Sequence, residues 1–278
     1  SSASGFQGNR AGRRKGSRRY FQERTDMESD KNNEMPRTAP MLEAVNLTKR
    51  YDDGVLALDD LNLSVFPGRT YAMLGANGAG KTTTINLFLN FIDPTEGEAR
   101  VAGVASHRDP LLIREKVSYV SENVMLYMNF SAVQNLDFFA RLAGKSNGCG
   151  RDECRDVLRR VGLEDDCHDR KLRTFSKGMR QKCGIAIAVI KGAPSILLDE
   201  PTSGLDPKAA FEFMNLLDSL RAEGRAILMS THDIFRAREI ADDIGIMKEG
   251  RLVMQRSREE LEGEDLEKIY LDYMSGLS

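Results

Sequence analysis

Apolar and polar side chains alternate in two stretches near the beginning of residues 41–278. These stretches read LEAVNLT from Leu42 and LDDLNLSVF from Leu58, and the turn-forming sequences YDDG and FPGR mark their ends. Alternation with a period of two residues is typical of a half-buried strand. A third segment, TYAML from Thr70, is apolar almost throughout and predicts a buried strand.

Helical spacing begins directly after this third segment. The residues GANGAGKTTTINLFLNF combine a glycine-rich loop with apolar side chains at Ile85, Phe88 and Leu89. Between Val124 and Gly192 the pattern is mainly helical, and SAVQ, from Ser131 to Gln134, has the spacing of a capping box. The run CGIAIAVIKGA, which follows FSKGMRQK, predicts a buried helix.

Strands return in the last third of the chain. They are predicted at SILLDE (residues 195–200), at RAILMST (225–231) and, as one strand, at DIGIMKEGRLV (243–253), with helices between them. Strands that alternate with helices predict an α/β sheet, here with a helical insertion at about residues 124–192.

Composition excludes several classes of protein. The 278 residues are 41% hydrophobic, which suits one large domain or two small ones. The four cysteines show neither a C-x-x-C pair nor metal-type spacing, so we expect no zinc site or disulfide framework, and a reducing cytoplasm fits. No apolar run approaches the roughly 20 residues that cross a bilayer, so a partner must supply any membrane spans.

Charge is unevenly divided along the chain. Residues 1–40 hold nine Lys/Arg and five Asp/Glu, whereas residues 41–278 hold 31 and 37. The acidic body argues against nucleic acid as the main ligand. We interpret residues 1–40 as a disordered basic N-terminal extension and residues 41–278 as the folded domain. The sequence RRKGSRR in the extension is either solvated or touches anionic lipid or RNA.

The sequence GANGAGKT, from Gly75 to Thr82, fits the pattern G-x-x-x-x-G-K-[ST] at every fixed position. Backbone N–H groups of such a loop converge on phosphate oxygens, and a following helix directs its positive end at them. The alternative, a glycine-rich turn that binds nothing, is disfavoured by the flanking strand and helix. The predicted phosphate-binding residues are Gly75, Asn77, Gly78, Ala79, Gly80, Lys81, Thr82 and Thr83.

Two carboxylates end the apolar strand SILLDE. Asp199 is predicted, together with the hydroxyl of Thr82, to hold Mg²⁺, and Glu200 to polarise an attacking water. The alternative is a strand end with two solvated acids, which would be the favoured interpretation without the phosphate loop.

Several further motifs make the prediction more specific. FSKGMRQK precedes ILLDEPTSGLDP, and STHD follows at residues 230–233. Together with the phosphate loop, these motifs resemble the ATP-binding subunit of an ABC transporter, from about Leu42 to the end of the chain. The resemblance implies a P-loop NTPase of the ABC ATPase fold, α/β, with a RecA-like core, an N-terminal antiparallel β subdomain and a helical subdomain insertion.

The resemblance also implies roles for individual residues. Ser176 and Gly178 would contact the γ-phosphate of ATP held by a second copy, and Asp206 would communicate across the dimer. Tyr51 matches the aromatic residue that stacks on adenine, and a surface tyrosine in a turn is the alternative. His232 matches the histidine that contacts the γ-phosphate and orders the catalytic Glu200, and a structural histidine is its alternative.

The sequence departs from the family pattern at two places. The usual signature is Leu-Ser-Gly-Gly-Gln, and here Phe175, Lys177 and Met179 differ, a variant similar to that of export ATPases for antibiotics, multiple drugs or sodium. Lys177 is either an addition to the phosphate-binding site or an ordinary solvated cation. Glu122 replaces the glutamine that bridges Mg²⁺ and the membrane subunit, and we expect it to keep this catalytic and metal-binding role, because a carboxylate can accept from water or approach the metal. Its charge is expected to raise the pKa of either Glu122 or Glu200.

The function implied is Mg²⁺-dependent ATP hydrolysis that drives export through a separate polytopic permease. Two copies, as a homodimer, or one copy and a homologue would enclose two ATP molecules on the cytoplasmic face of the membrane, with no nucleic acid bound. The permease would dock at Met125, Leu126, Tyr127 and Met128, unless these residues form the core of the helical insertion. The alternatives are a soluble ABC-type ATPase acting on ribosomes or nucleic acid, and a nucleotide kinase or GTPase.

Overall fold

The computed structural model describes residues 39–145 and 147–275, so the predicted basic extension lies outside the described residues except for its last two positions. The described ranges contain ten strands and eight α-helices. The strands are β1 (Leu42–Arg50), β2 (Leu56–Val65), β3 (Thr70–Leu74), β4 (Glu96–Val101), β5 (Val104–Ala105), β6 (Val117–Val120), β7 (Ser195–Asp199), β8 (Ala226–Thr231), β9 (Asp243–Lys248) and β10 (Arg251–Ser257).

The helices connect the strands and flank the sheets. They are α1 (Lys81–Phe88), α2 (Pro110–Lys116), α3 (Ala132–Leu142), α4 (Arg151–Arg160), α5 (Lys177–Lys191), α6 (Pro207–Ala222), α7 (Ile234–Ile240) and α8 (Leu266–Ser275). None of the helices within residues 39–145 and 147–275 combines the length and hydropathy needed to cross a bilayer.

An antiparallel sheet of four strands has the order β2-β1-β4-β5. Leu42, Leu47, Leu61 and Leu63 are buried, and polar neighbours such as Asn62 are exposed. The two alternating stretches at the start of the domain are therefore half-buried strands, as their period of two residues predicts.

A second sheet of six strands has the order β10-β9-β3-β8-β7-β6. All its neighbouring pairs are parallel except β10 and β9. Every residue of β3, β7 and β8 is buried, because apolar groups cover both faces of the sheet. In β3, Tyr71 and Met73 pack in one apolar cluster, whereas Ala72 and Leu74 pack in the other. The mixed α/β fold is confirmed.

The prediction of one strand over residues 243–253 is wrong. The segment is a hairpin in which β9 ends at Lys248 and β10 begins at Arg251. Glu249 and Gly250 both have positive φ, at 49° and 81°, which is the backbone pattern that reverses a two-residue hairpin. Three strands, β4, β5 and β6, were not predicted, because they are short or carry charged residues at their ends.

Helices α3, α4 and α5 lie between β6 and β7, in the segment where the sequence predicts helix. The capping box at the start of α3 is present: the Ser131 Oγ accepts from the Gln134 N–H at 3.2 Å, and the Gln134 Oε1 accepts from the Ser131 N–H at 2.8 Å. Helix α5 begins after Ser176 and ends at Gly192, which has a positive φ of 73°. Its central residues are buried, so the apolar run is a buried helix.

We predict that Ser131→Ala destabilises the domain by about 1 kcal/mol, because the substitution removes the acceptor for one N–H group at the start of α3. Chemical denaturation measures the free energy of unfolding. Ser219→Ala, which removes an exposed hydroxyl bonded to the Leu216 carbonyl on α6, is the control and should change that energy by less than about 0.5 kcal/mol. Equal losses for the two variants would contradict a capping role.

Candidate active site

Four parallel strands end at the same edge of the larger sheet. The residues that follow or finish β3, β6, β7 and β8 are Gly75, Glu122, Asp199 and His232. The carboxyl ends of parallel strands form a crevice in open α/β sheets, and ligands bind there. The predicted catalytic and phosphate-binding groups therefore lie together because of strand pairing, although they are far apart in the sequence.

A cavity of about 490 Å³ opens at this edge. Two segments of the chain, residues 55–57 and 76–83, and three carboxylates line it. The lining residues are Val55, Leu56, Ala57, Ala76, Asn77, Gly78, Ala79, Gly80, Lys81, Thr82, Thr83, Glu122, Asp199 and Glu200. Nearly all of the predicted phosphate loop thus faces one cavity, together with Glu122, Asp199 and Glu200.

The conformation of the loop requires its glycines. Gly78 and Gly80 have φ angles of 80° and 103°, a region that other L-residues rarely adopt. A Cβ at Gly80 would also lie 2.7 Å from the Ala57 carbonyl oxygen and 2.7 Å from the Leu58 Cδ2. Gly80 is the N-cap of α1 and has no side chain to cap the first turn. The N–H groups of that turn are consequently suited to an anion.

Lys81 is buried at the start of α1 and binds the loop that precedes it. Its Nζ donates to the Gly75 carbonyl at 2.6 Å and to the Ala76 carbonyl at 3.1 Å. The Glu200 Oε1 lies 3.4 Å from the same ammonium group. The cation is therefore held inside the phosphate loop at the floor of the cavity.

Asp199 brings several oxygen atoms together. The Thr82 Oγ1 donates to its Oδ2 at 3.0 Å, and the Ser230 Oγ donates to its Oδ1 at 2.5 Å. Carboxylate and hydroxyl oxygens are the hard ligands that Mg²⁺ prefers, so the residues present fit this ion. Ser230 was not predicted as a site residue, although it lies directly opposite Asp199 in the parallel pairing of β7 and β8.

Glu200 and His232 contact one another beside the phosphate loop. The His232 Nδ1 lies 2.9 Å from the Glu200 Oε2. Glu200 has a positive φ of 47°, and its N–H group donates to the Ser230 carbonyl at 3.2 Å and to the Ser230 Oγ at 3.0 Å. The buried Glu200 Oε1 has the Lys81 ammonium group at 3.4 Å but, within the described residues, no hydrogen-bond partner. The unusual backbone angle thus directs a buried carboxylate oxygen to a place where an additional polar group can bind it.

Glu122 lines the same cavity and is held by residues from other loops. The Ser203 Oγ donates to its Oε1 at 2.9 Å, and the Lys177 Nζ lies 3.4 Å from that oxygen. The hydrogen bond from Ser203, with the smaller effect of Lys177, lowers the pKa of the Glu122 carboxyl below its usual value. The sequence alone suggested that one of the two carboxyls has a raised pKa; for Glu122 the shift is in the opposite direction. The sequence analysis did not single out Ser203.

Six predicted site residues do not line the cavity: Gly75 and His232, which are described above, and four more. Ser176 and Asp206 are N-caps: the Ser176 Oγ accepts from the Met179 N–H at 3.2 Å, and the Asp206 Oδ1 from the Ala209 N–H at 2.9 Å. The other two, Gly178 and Tyr51, lie in the first turn of α5 and in the turn after β1. The Tyr51 N–H donates to the carbonyl of Val55, which does line the cavity.

Comparison with known proteins places these features in a family. A profile of the ABC transporter family matches residues 58–203, which include the phosphate loop and both carboxylates that end β7. The chain belongs to the ABC transporter family. It is an ABC-type ATPase, and nucleotide binding follows from that membership.

The relatives of this ABC ATPase include separate ATP-binding proteins and parts of much longer chains. It is 34% identical over 240 residues to the bacitracin transport ATP-binding protein BcrA of Enterococcus faecalis, covering 85% of this chain and 75% of that protein. It is 36% identical over 196 residues to the human phospholipid-transporting ATPase ABCA3, covering 70% of this chain but 11% of that protein.

Among solved structures, this ABC ATPase resembles the ATP-binding cassette MJ0796. The match is to a dimeric post-hydrolysis state bound to ADP and Pi, with a TM-score of 0.72 and 28% identity, covering 78% of this chain and 99% of that one. The antiparallel sheet, the parallel sheet and the helices between β6 and β7 therefore form the fold of an ABC ATPase cassette.

We predict that Gly80→Ala is more destabilising than Gly78→Ala. Both substitutions place a Cβ at positive φ, which costs on the order of 1 kcal/mol. Only the Cβ at Gly80 meets backbone and side-chain atoms at 2.7 Å, whereas none lies within 4 Å of a Cβ at Gly78. Denaturant unfolding of the two variants measures the difference, and equal losses would contradict the close packing of the loop against Ala57.

Proposed function

We propose that this chain is the ATP-binding and ATP-hydrolysing subunit of an exporter, and that two copies enclose two ATP molecules in opposite orientations. One observation carries the proposal. The phosphate loop, Glu200 and His232 meet in one place, while Ser176 and Gly178 lie outside that cavity at the start of α5. A second copy, turned head to tail, brings its α5 to the open side of the cavity, so each site uses residues of both chains.

Ser176 suits this role because its hydroxyl accepts one hydrogen bond within the chain and can donate another. Its Oγ accepts from the Met179 N–H, and a hydroxyl that accepts a hydrogen bond can still donate its own proton. Ser176 is the N-cap of helix α5, which has 15 residues, so the positive N-terminal end of the helix lies beside the Ser176 hydroxyl. Ser176 and the Gly178 N–H therefore bind the γ-phosphate of the ATP held by the other copy.

Binding of the triphosphate involves a change of partner for Lys81. Its ammonium group now donates to the carbonyl oxygens of Gly75 and Ala76, and it turns to the β- and γ-phosphate oxygens when ATP enters. The N–H groups of the first turn of α1 bind the same phosphates. Tyr51, placed beside Val55 by their hydrogen bond, stacks on the adenine.

The Mg²⁺ that accompanies ATP would be held by Thr82 and Asp199, and Glu122 lines the same cavity. When bound, the ion offsets charge on the phosphate oxygens. Ser230 and Thr82 orient Asp199 through their hydrogen bonds to its two oxygens.

Hydrolysis depends on Glu200. Its carboxylate accepts a hydrogen bond from the attacking water and polarises it while the water oxygen bonds to the γ-phosphorus and the bond to the ADP oxygen breaks. His232, 2.9 Å from the Glu200 Oε2, fixes the orientation of the carboxylate and donates to the γ-phosphate. The proton of the water passes to Glu200 or to the phosphate released.

A separate membrane permease is the partner that we propose for the segment between β6 and α3. Met125 is 85% exposed, and Tyr127 and Met128 are also exposed. Tyr127 packs against Phe130 and Phe138 at ring-centroid distances of 5.1 and 4.7 Å, so the surface has a rigid aromatic base. Leu126, which the sequence analysis grouped with these residues, instead packs partly in the core.

The signature variant favours export over import, and so does the similarity to BcrA, a bacitracin transport ATP-binding protein. The chain then works on the cytoplasmic face of the membrane, where ATP is present. Closure of the dimer on ATP and its opening after phosphate release move the permease between two states.

We predict that Glu200→Gln retains ATP binding but reduces turnover at least 100-fold, because an amide cannot accept the proton of the water. Binding is measured with a fluorescent ATP analogue and turnover by phosphate release. Glu249→Gln is a matched control, since Glu249 has a similar φ of 49° but lies in the exposed β9–β10 turn. An unchanged hydrolysis rate in Glu200→Gln would refute the assignment.

The permease is tested by purification of Glu200→Gln with Mg²⁺-ATP from detergent-solubilised membranes. We predict that a polytopic membrane protein co-purifies in stoichiometric amount, and that Met125→Glu abolishes its recovery. Leu271→Glu, on the exposed side of α8, is the control and should retain the partner. Recovery of ribosomal or DNA-bound proteins alone would replace the exporter with a soluble ABC ATPase.

A further inference from the structure

An ion pair joins the start of helix α5 to the loop after β6. Lys177 is the first residue of α5, Glu122 follows β6, and the Lys177 Nζ lies 3.4 Å from the Glu122 Oε1. Their side chains are 27% and 46% exposed. The two residues are 55 positions apart in the sequence, and both are positions where the chain departs from the usual family pattern.

Helix α5 holds the same segment at a second point. Gln181 is buried, and its Nε2 donates to the Glu122 carbonyl at 2.8 Å and to the Ser121 carbonyl at 3.3 Å. Residues four apart lie on one face of a helix, so Lys177 and Gln181 reach the segment from adjacent turns. The start of α5 thus contacts both the side chain and the backbone of Glu122.

A third loop contacts the same carboxylate oxygen. The Ser203 Oγ donates to the Glu122 Oε1 at 2.9 Å, and a Cβ built on Gly204 would lie 3.5 Å from the Lys177 Nζ. Ser203 follows Glu200 by three residues, and the Ser203 N–H donates to the Glu200 carbonyl at 3.1 Å. One oxygen of Glu122 therefore links the start of α5 to the turn that contains the proposed catalytic carboxylate.

In the head-to-tail dimer, this ion pair connects two different ATP molecules. Glu122 lines the cavity for the ATP of its own chain. Lys177 stands between Ser176 and Gly178, which serve the ATP of the other chain. We propose that Lys177 is a positioning residue that, through its ion pair with Glu122, couples the two ATP sites across each chain. This inference rests on the proposed function, because two ATP sites are present together only in the head-to-tail dimer.

The physical basis of the coupling is charge compensation. Without Lys177, the carboxylate of Glu122 adds uncompensated negative charge beside ATP, and without Glu122 the ammonium group loses the contact that fixes the loop of Ser176. Removal of either partner should therefore impair dimer closure. When both charges are removed, neither side chain is left with an uncompensated charge. The second substitution should therefore weaken the dimer little once the first has been made.

The test is a double-mutant cycle on the Glu200→Gln background, which is expected to trap the ATP-bound dimer. The variants are Lys177→Met, Glu122→Gln and the two combined, which remove charge while keeping most of each side chain. Sedimentation equilibrium with Mg²⁺-ATP measures the dimer dissociation constant. The dimer contains two of these ion pairs, one in each copy. We expect each single substitution to raise the dimer dissociation constant about two- to fivefold for each pair that is lost. The dissociation constant of the combined variant should be no higher than that of the more strongly affected single variant.

A second measurement needs no nucleotide. Amide hydrogen exchange of residues 121–123 and 176–179 reports whether the two loops are held together in the free chain. We expect each single substitution to increase exchange in both segments, because the contact is reciprocal, and the combined variant to increase it no further.

Lys182 and Glu212 provide the control cycle. Their side chains lie 2.7 Å apart and join the same helix α5 to α6, but neither lines the cavity. Lys182→Met and Glu212→Gln should shift the thermal unfolding midpoint without changing the dimer dissociation constant or exchange at residues 121–123.

The outcomes separate this inference from the proposal beneath it. If the Glu200→Gln parent forms no dimer with Mg²⁺-ATP, the head-to-tail site and the coupling through Lys177 are both overturned. If the parent forms a dimer and the effects of Lys177→Met and Glu122→Gln simply multiply, or are absent, the coupling alone is overturned.

Discussion

The parallel pairing of β3, β8, β7 and β6 is the constraint on which the site depends. The pairs Leu74 with Thr231, Asp199 with Ser230 and Val120 with Leu198 bring the carboxyl ends of the four strands into one row. A shift of one residue in any pair would turn its buried side chains to the opposite face and would move an acidic group away from the phosphate loop. Packing on both faces of the sheet therefore protects the geometry of the site.

The balance of charge in the cavity explains why its ligand must bring or attract cations. Asp199, Glu200 and Glu122 line it, and among its lining residues Lys81 is the single cation. A polyphosphate in such a place is opposed by three carboxylates, and the N-terminal end of α1 offsets only part of this repulsion. In the proposed function, a divalent ion beside Thr82 and Asp199 and groups from a second copy would add positive potential to that of Lys81.

Helix α5 relates the chemistry to movement. Its first turn carries Ser176 and Gly178, and its side chains Lys177 and Gln181 hold the Glu122 segment. A displacement of α5 would therefore move the loop after β6. The exposed residues Met125 and Tyr127 follow in the same segment of the chain. In the function that we propose, ATP binding, dimer closure and contact with a membrane partner would thus be linked through a few side chains.

The sequence by itself determined the features that local spacing encodes. These are the phosphate loop from Gly75 to Thr82, the capping box at Ser131, and the alternation that marks the half-buried strands, because each depends on residues that are near in the chain. Only the tertiary structure decided which distant residues meet. Ser230 at Asp199, and Ser203 and Lys177 at Glu122, follow from strand register and packing, which no local pattern specifies.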